Sequence, residues 1–234
     1  HRDLHSFPTR RSSDLDTIYF SLGTPEGENF GLINHNNEVW LSQGNEKIIN
    51  KNQLKIKGEH NISNALAAMA LAGAVNVPTN IMADVLKNFT GLEHRCQLVR
   101  EIDNVSWYND SKATNVGACI ASITGLCELG NIILIAGGDS KGADLSGLNL
   151  IVKKYIKRVF LFGIDANKLA DVMGSDVDKE FVNNMNEAVK GASKIADPDD
   201  IVLLAPACSS LDMYKNYQQR GDAFISAIDA LSKN

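Results

Sequence analysis

The chain has 234 residues, of which 44% are hydrophobic and 22% charged, and its formal net charge is −5. These values are ordinary for a globular protein, and the length allows one large domain or two small ones. The acidic balance argues against nucleic acid as the main partner, because binding a polyanion needs clustered lysine and arginine. A membrane partner is not predicted either, since no apolar run approaches the roughly 18 residues of a membrane span.

The first part of the chain divides into an unpatterned leader and a β-rich segment. Residues 1–15, HRDLHSFPTRRSSDL, have neither helical nor strand periodicity. We predict that they are a disordered, non-native leader on a truncated reading frame; a natural flexible arm is the alternative. From residue 17 to about 57, short β-rich runs are separated by Gly and Asn, which predicts strands and turns. The runs are TIYFSLG, FGLINHN, EVWLSQG, EKIIN and QLKIKG.

Two helices are predicted after Gly58, where the hydrophobic spacing changes. The run NISNALAAMALAGAV places Ile62, Leu66 and Met69 at helical spacing. The run PTNIMADVLKNF predicts a second helix, with Thr79 as its cap. The apolar face of this second helix would contain Ile81, Val85, Leu86 and Phe89.

Strands and helices alternate over residues 92–234, which predicts an α/β domain with a Rossmann-like, doubly wound sheet. The sheet should be mostly parallel, because its central strands are continuous Ile/Val/Leu runs. A hairpin that turns at Asp103-Asn104 should open the domain. The predicted strands are NIILIAGG, RVFLFG, KEFV and DIVLLAPA, and the predicted helices are 115–128, 147–157, 165–173, 185–195 and 214–232.

The four cysteines show no C-x-x-C spacing, and three of them lie in apolar runs. They are Cys96, Cys119, Cys127 and Cys208. This pattern favours reduced, buried thiols in a cytosolic protein over disulfides or a zinc site. We therefore predict no metal ligands among them.

Ligands of open parallel sheets bind outside the carboxyl ends of the strands, so the segments that follow the strands are candidate site loops. Three of these segments are rich in Lys, Ser, Thr and Asp: YNDSKATN, GGDSKGADLS and APACSSLDMYKNYQQRG. The fourth, FGIDAN, is poor in such groups. Lysines beside helix amino termini can bind a carboxylate or a phosphate. The sequence therefore predicts a site for a small anionic molecule.

Each of these loops also has a purely structural interpretation, which the sequence leaves open. A polar residue before a helix can be only its cap, and paired glycines can only relax a tight turn. The alternatives are Thr114 or Asn115 as a cap, Asp110 and Lys112 as a solvated ion pair on an extended segment, Gly137-Gly138 as a turn, Lys141 as surface charge, and Ser209-Ser210 as a second cap.

A second group of candidate residues lies upstream. GEHNISN places His60, Asn61 and Asn64 at the start of a helix, with the two asparagines on one face. Their amides offer the paired donors and acceptors that an adenine edge requires, although helix capping alone is the alternative. GLEHRCQ places Arg95 between the two halves of the chain, where it could bind a phosphate or form a structural salt bridge. The sequence contains no P-loop, G-x-G-x-x-G, H-E-x-x-H or G-x-S-x-G motif.

Taken together, the motifs GEHNISNALAA, FTGLEHRCQLV, WYNDSKATN, LIAGGDSKGADLS and LLAPACSSLDMYKNYQQRGDAF occur in a familiar order. The chain resembles the Mur ligases over about residues 16–234, and within them the branch that adds D-glutamate to UDP-N-acetylmuramoyl-L-alanine. The resemblance implies that 16–91 is the end of a central ATPase domain and 92–234 the carboxyl-terminal domain. The P-loop, the Mg²⁺ ligands and the UDP-binding domain would lie upstream, so we expect a truncated fragment that is inactive alone.

The resemblance also implies a reaction, which is ATP-driven amide formation through an acyl phosphate in bacterial peptidoglycan precursor synthesis. The expected setting is the bacterial cytoplasm, and the expected oligomeric state is a monomer. The implied ATP-binding residues are His60, Asn61, Asn64, Arg95 and Asp110. The implied D-glutamate-binding residues are Lys112, which is also the catalytic candidate, Thr114, Lys141, Ser210, Leu211 and Tyr217. Tyr217 stands where the family has phenylalanine, and a backbone contact there would tolerate the exchange.

Two other functions stay open at this point. A folylpolyglutamate-type ligase also adds glutamate with ATP, and the G-x-H-N-x-x-N and G-x-x-H-R motifs are shared with it. The NDSKATN and PACSSLD motifs are narrower and favour the Mur ligases. From a different class, the chain could be a non-catalytic α/β ligand-binding module.

Overall fold

The computed structural model describes residues 17–56 and 58–231. The predicted leader, residues 1–15, lies outside the described residues. The described residues form two compact units, one made of segments 17–55 and 61–89 and the other of segments 56–60 and 90–231. The assignment of 16–91 and 92–234 to two family domains stays a prediction.

The first unit contains a three-stranded antiparallel sheet in the order β1-β2-β3. Its strands are β1 (Phe30–His35), β2 (Glu38–Gln43) and β3 (Glu46–Asn50). Asn36 and Asn37 join β1 to β2 with positive φ angles of 52° and 63°, which is the geometry of a tight two-residue hairpin. Two predicted strands are wrong. The first run forms only an isolated bridge at Phe20, and the last begins with a 3₁₀ turn capped by Asn50.

Both predicted helices of the first half form, as α1 (Glu59–Ala74) and α2 (Thr79–Asn88). Pro78 rather than Thr79 precedes α2 as its cap, and the Thr79 hydroxyl donates instead to Glu46 at 2.8 Å. Of the predicted apolar face of α2 only Leu86 is confirmed, because the side chains that the helix buries are Met82 and Leu86. Ile81, Val85 and Phe89 of that predicted face are exposed.

The second unit is built on a six-stranded mixed sheet, as the alternating pattern predicts. The hairpin turns at Asp103 and Asn104, whose φ angles are 49° and 66°. Its strands are β4 (Gln97–Ile102), β5 (Val105–Asn109), β6 (Ile132–Gly137), β7 (Ile156–Phe162), β8 (Lys179–Phe181) and β9 (Ile201–Leu204). Its helices are α3 (Val116–Leu126), α4 (Leu148–Tyr155), α5 (Ala166–Met173), α6 (Met185–Ile195) and α7 (Tyr217–Leu231).

Two predicted boundaries move. β7 begins inside the predicted helix 147–157. Ile156 ends α4, since its N–H donates to the Val152 carbonyl, and the same residue pairs with Ile132 in the sheet. α7 begins at Tyr217 rather than at residue 214, since the Asn216 side chain accepts the Gln219 N–H at 2.8 Å in the manner of a cap.

The strand order is β4-β5-β9-β6-β7-β8, and every neighbouring pair except β4-β5 is parallel. β9 therefore lies between β5 and β6, which brings the three polar loops after these strands to one edge. We call this edge, where the parallel strands end, the carboxyl edge. Helices α3, α4 and α5 pack on one face of the sheet, and α6 and α7 pack on the other. A ligand crevice is expected where helices leave adjacent strands toward opposite faces, as they do around β9.

None of the helices in the described part of the chain is long and apolar enough to span a membrane.

Candidate functional site

The loop after β5 turns sharply instead of continuing as an extended strand. The Ala113 N–H donates to the Asp110 carbonyl at 2.9 Å, and Asn115 caps α3 by accepting the Ala118 N–H at 2.9 Å. The expected extended segment, with Asp110 and Lys112 pointing to one side, is therefore wrong. The Asp110 carboxylate turns inward, whereas the Lys112 ammonium lies over the ring of Tyr217.

Asp110 is a buried carboxylate held by neutral donors. The hydroxyl of Ser122 on α3 donates to one carboxylate oxygen, and the backbone N–H of Cys96 donates to the carboxylate as well. Burial raises the pKa of Asp110, although these hydrogen bonds and the charges of His60 and Arg95 oppose the shift. The structure thus places His60 and Arg95 close enough to Asp110 to act on its charge.

The loop after β6 passes close to two neighbouring segments. A Cβ on Gly137 would overlap the Phe162 carbonyl oxygen, and a Cβ on Gly138 would overlap that of Ser209, so only glycine fits at both positions. Asp139 and Ser209 then exchange backbone hydrogen bonds of 3.0 and 2.8 Å. The paired glycines therefore do more than relax a turn, because they join the loops after β6 and β9.

Lys141 is exposed at the tip of the β6 loop, with a left-handed φ of 52°. Its N–H donates to the Asp139 carboxylate at 2.7 Å, which fixes the backbone of the tip. The next loop along the sheet, FGIDAN, supports this geometry although its sequence predicts no role. Asp165 accepts the N–H and the hydroxyl of Ser140 at 2.8 and 2.6 Å, and it pairs with Lys168 at 2.7 Å. Lys168 and these Ser140 hydrogen bonds lower the pKa of Asp165 to about 2.

Lys112 and Tyr217 are brought together by packing. The Lys112 ammonium lies 4.2 Å from the centre of the Tyr217 ring, which is a cation–π arrangement that phenylalanine would also allow. The buried His94 ring packs edge-on against Tyr217, and its Nδ1 lies 3.1 Å from the Asn109 amide nitrogen. Gly221 leaves room for this ring, because a Cβ there would overlap His94.

The remaining predicted D-glutamate residues also lie at the carboxyl edge. Thr114 is half-buried in the β5 turn, where its N–H donates to the Lys112 carbonyl at 2.8 Å. Ser210 is buried and its carbonyl accepts the N–H groups of Met213 and Tyr214, while the Leu211 side chain is 59% exposed. Thr114, Ser210 and Leu211 therefore belong to the loops after β5 and β9.

Asn61 and Asn64 lie in the first unit, on the first turns of α1. The Asn64 amide donates to the Asn61 side-chain oxygen at 3.5 Å, so the two side chains share one face as predicted from their spacing. His60 belongs to the second unit, and its ring lies against Gly58 and Gly125. Burial lowers the pKa of His60, and the charge of Asp110 opposes that shift. Arg95 is exposed.

Sequence reasoning missed four residues of this edge that the structure shows to be buried and hydrogen bonded. Arg220 donates to oxygens of all three loops, and Ser111, Ser122 and His94 fix the surroundings of Lys112 and Asp110. Arg220, Ser111 and His94 lie inside the quoted motifs and Ser122 lies on the predicted helix 115–128, but no spacing rule distinguishes a buried serine or arginine from a surface one.

The edge is suited to binding and orienting an anion. Burial raises the pKa of the thiols of Cys96 and Cys208 to about 12, and it raises that of Cys119 as well, so these cysteines are protonated at neutral pH and are weak nucleophiles. Lys112 and Lys141 bring two ammonium groups to the loops of this edge, and such cations can stabilise carboxylates and phosphoryl groups. The fold and these lysines make the carboxyl edge of this α/β domain a candidate site for a small anionic ligand.

Comparison with known families places this domain. A family profile described as "Mur ligase, glutamate ligase domain" matches residues 94–208. Residues 94–208 are therefore assigned to the Mur ligase carboxyl-terminal domain, as the motifs predict.

Curated relatives agree with this assignment. The chain is similar to the UDP-N-acetylmuramoylalanine--D-glutamate ligase of Pseudomonas syringae pv. syringae, with 47% identity over 215 residues that cover 91% of the chain and 48% of the relative. It is also similar to the ligase of the same name from Legionella pneumophila, with 41% identity over 232 residues that cover 98% of the chain and 52% of the relative. The chain thus spans about half the length of the curated relatives it matches.

Solved structures show the same fold. The UDP-N-acetylmuramate-alanine ligase of Thermotoga maritima superposes with a TM-score of 0.64 at 16% identity, covering 94% of the chain and 50% of that protein. A Mycobacterium tuberculosis folylpolyglutamate synthase complexed with ADP and AMPPCP gives a TM-score of 0.61 at 17% identity, covering 89% of the chain and 49% of that protein. Because both groups of ligases share this fold, the fold alone does not separate them.

Proposed function

We propose that the chain is the carboxyl-terminal part of an ATP-dependent ligase that adds D-glutamate to UDP-N-acetylmuramoyl-L-alanine. The observation that carries this proposal is the joining of three polar loops, with Lys112 and Lys141 among them, at the carboxyl edge of a Mur ligase domain. The names of relatives at 41–47% identity supply the substrate.

In this proposal the carboxyl edge holds the amino acid. Lys141 and Thr114 bind the α-carboxylate of D-glutamate, and the segment of Ser210, Leu211 and Tyr217 surrounds its side-chain carboxylate. Lys112 lies at the boundary with the nucleotide, where its ammonium stabilises the acyl phosphate while the amine attacks. The Tyr217 ring supports this role, since it holds the Lys112 ammonium without neutralising it.

The nucleotide half of the proposal rests on a second group of residues. Asn61 and Asn64 bind adenine with His60 adjoining, Asp110 accepts from the ribose hydroxyls, and Arg95 binds the phosphates. Asp110 fits this role because its donors, Ser122 and the Cys96 amide, are neutral and need not use every carboxylate lone pair. Among the described residues no group of three His, Cys, Asp or Glu side chains is arranged to hold a metal, so no step through Mg²⁺ is assigned to this chain.

We also propose that 16–91 is the end of a central ATPase domain and 92–234 the carboxyl-terminal domain. The relatives carry about as much chain again as the matched part, and the sequence described here contains no P-loop. Activity is therefore expected only from a full-length protein in which this chain is joined to the amino-terminal half that its relatives possess.

The test is incorporation of labelled amino acid by that full-length protein with ATP and UDP-N-acetylmuramoyl-L-alanine. D-glutamate should be incorporated and L-glutamate should not. Incorporation of L-glutamate onto a folate substrate would instead identify a folylpolyglutamate-type ligase. Absence of any ATP-dependent incorporation would favour a binding module.

A further inference from the structure

Arg220, in the first turn of α7, is the most deeply buried cation of the carboxyl edge, with 0% of its surface exposed. Its Nε and Nη2 donate to the hydroxyl and carbonyl oxygens of Ser111 at 3.0 and 2.9 Å. Its Nη1 donates to the Cys208 carbonyl at 3.1 Å and, more weakly, to the Gly137 carbonyl at 3.4 Å. One guanidinium thus joins the loop after β5, the loop after β9 and the end of β6.

These partners are all neutral oxygens. Burial lowers the pKa of Arg220 to about 10, so the side chain stays charged at neutral pH, with Asp212 acting on it only as a nearby charge. A buried cation without a bonded carboxylate is costly to keep, and an apolar side chain of similar volume is often at least as stabilising. Stability alone therefore does not account for an arginine here.

The hydrogen bonds of Arg220 continue to the proposed catalytic lysine. Ser111 is fully buried, and its hydroxyl accepts from Arg220 and donates to the Tyr217 carbonyl at 2.7 Å. Tyr217 in turn holds the Lys112 ammonium against its ring. A displacement of the guanidinium would therefore be transmitted through Ser111 to the position of Lys112.

We infer that Arg220 is a positioning residue, which fixes the three loops in register and adds an uncompensated positive charge to the D-glutamate half of the site. This inference rests on the proposed function. Its effect should fall mainly on D-glutamate rather than on ATP, because Arg220 bonds the loops after β5, β6 and β9, whereas the proposed adenine residues Asn61 and Asn64 lie on α1.

The experiment compares Arg220→Lys with Arg158→Lys in the full-length protein. Lysine keeps the charge but lacks the planar guanidinium that bonds several acceptors at once. Arg220→Lys should therefore raise the KM for D-glutamate about 10- to 100-fold, and it should leave the KM for ATP within about threefold of its original value. Arg158 is a matched control because it bonds Asp178 and lies at the opposite edge of the sheet. Arg158→Lys should change neither KM.

A merely structural role would give a different result. Partial unfolding would lower kcat for all substrates in proportion and leave both KM values unchanged, and that outcome would overturn the inference. If Arg220→Lys fails to fold, Ser111→Ala carries the test, since it removes only the hydroxyl link. A raised D-glutamate KM would then support the inference, and an unchanged one would refute it.

A readout without substrates separates this inference from the proposed function. Arg220→Lys should speed hydrogen exchange of the Asp139 and Ser209 amides at least about tenfold relative to Arg158→Lys, because those amides join the loops that Arg220 holds. If the unaltered protein does not use D-glutamate, the proposed function fails, and the exchange rates alone decide whether Arg220 orders the loops. Unchanged exchange would refute that ordering.

Discussion

At the edge where the parallel strands begin, charges are paired with opposite charges. Lys157 bonds Asp197 and Asp200 at 2.7 and 2.6 Å, and Arg158 bonds Asp178 at 2.6 Å. At the carboxyl edge, by contrast, Arg220 bonds neutral oxygens, Asp110 bonds a hydroxyl and an amide, and Lys112 rests on an aromatic ring. Exceptions there are the Asp165–Lys168 pair, which supports the β6 loop from the side, and the His94 ring, whose Nε2 lies 3.7 Å from the Asp222 carboxylate.

The contrast indicates what each edge is for. Ion pairs at the amino edge satisfy each other and leave nothing for a ligand. Charges at the carboxyl edge are fixed in place but not neutralised, which is the preorganised state that binds and stabilises a charged substrate. Substitutions at the two edges should therefore separate stability from activity.

The largest effect is expected for Lys112→Met at the carboxyl edge. Lys112 is proposed to stabilise the acyl phosphate, so loss of its ammonium should lower the rate of D-glutamate ligation about 10³-fold, as for removal of other preorganised electrostatic groups. The thermal unfolding midpoint should move by less than about 2 °C, because Lys112 is half-buried and forms no ion pair with a carboxylate of the described residues. Single-turnover kinetics and a thermal melt measure the two quantities. A large loss of stability with normal turnover would contradict the assignment of activity to the carboxyl edge.

Lys141→Ala should have the next largest effect. The exposed ammonium is proposed to bind the α-carboxylate, so kcat/KM for D-glutamate should fall about 100-fold. The KM for ATP should stay within about threefold, since Lys141 lies in the amino-acid half of the proposed site. Steady-state kinetics with each substrate varied in turn provide the measurement. Equal losses for both substrates would contradict a carboxylate role.

Lys157→Met tests the amino edge and should show the opposite pattern. Asp200 is 1% exposed; burial would raise its pKa, but the hydrogen bonds from Lys157 and from the Asp197 N–H lower it overall. Removing Lys157 leaves that carboxylate without its cation, which should cost about 1–3 kcal/mol of unfolding free energy after allowance for partial exposure. The loss should be largest above the ordinary aspartate pKa and vanish in acid, as Asp200 becomes protonated. Denaturant unfolding at several pH values measures this loss of stability. A change in the KM for ATP or for D-glutamate would contradict the separation of stability from activity between the two edges.

The smallest effect is expected for Asp110→Asn, which should increase the free energy of unfolding rather than decrease it. Because the pKa of Asp110 is raised in the folded protein, its charge lowers stability as pH rises from 3.8 through the folded value. Asparagine keeps one acceptor oxygen for these donors and removes the charge, so the variant should be more stable by about 1 kcal/mol at neutral pH. It should lose ATP affinity at the same time. Unfolding curves at pH 3.5 and 7 test this, and a variant destabilised at pH 7 would contradict it.

Much of this fold was predictable because local sequence determines it. The continuous Ile/Val/Leu runs predict β6 and β9, and Asp103-Asn104 predicts the hairpin, since each pattern depends on neighbours in the chain. The insertion of β9 between β5 and β6 depends on long-range pairing, which no local pattern encodes. For the same reason the sequence predicted Lys112 and Lys141 as candidates but not Arg220, whose acceptors lie up to 109 positions away.

The most direct test of the central claim is a crystal structure of the full-length protein with D-glutamate and ADP. The α-carboxylate should lie within hydrogen-bonding distance, about 3 Å, of Lys141 Nζ and the Thr114 hydroxyl, between the loops that Arg220 joins. D-glutamate bound away from the carboxyl edge, or bound there without contact to Lys141, would contradict the account.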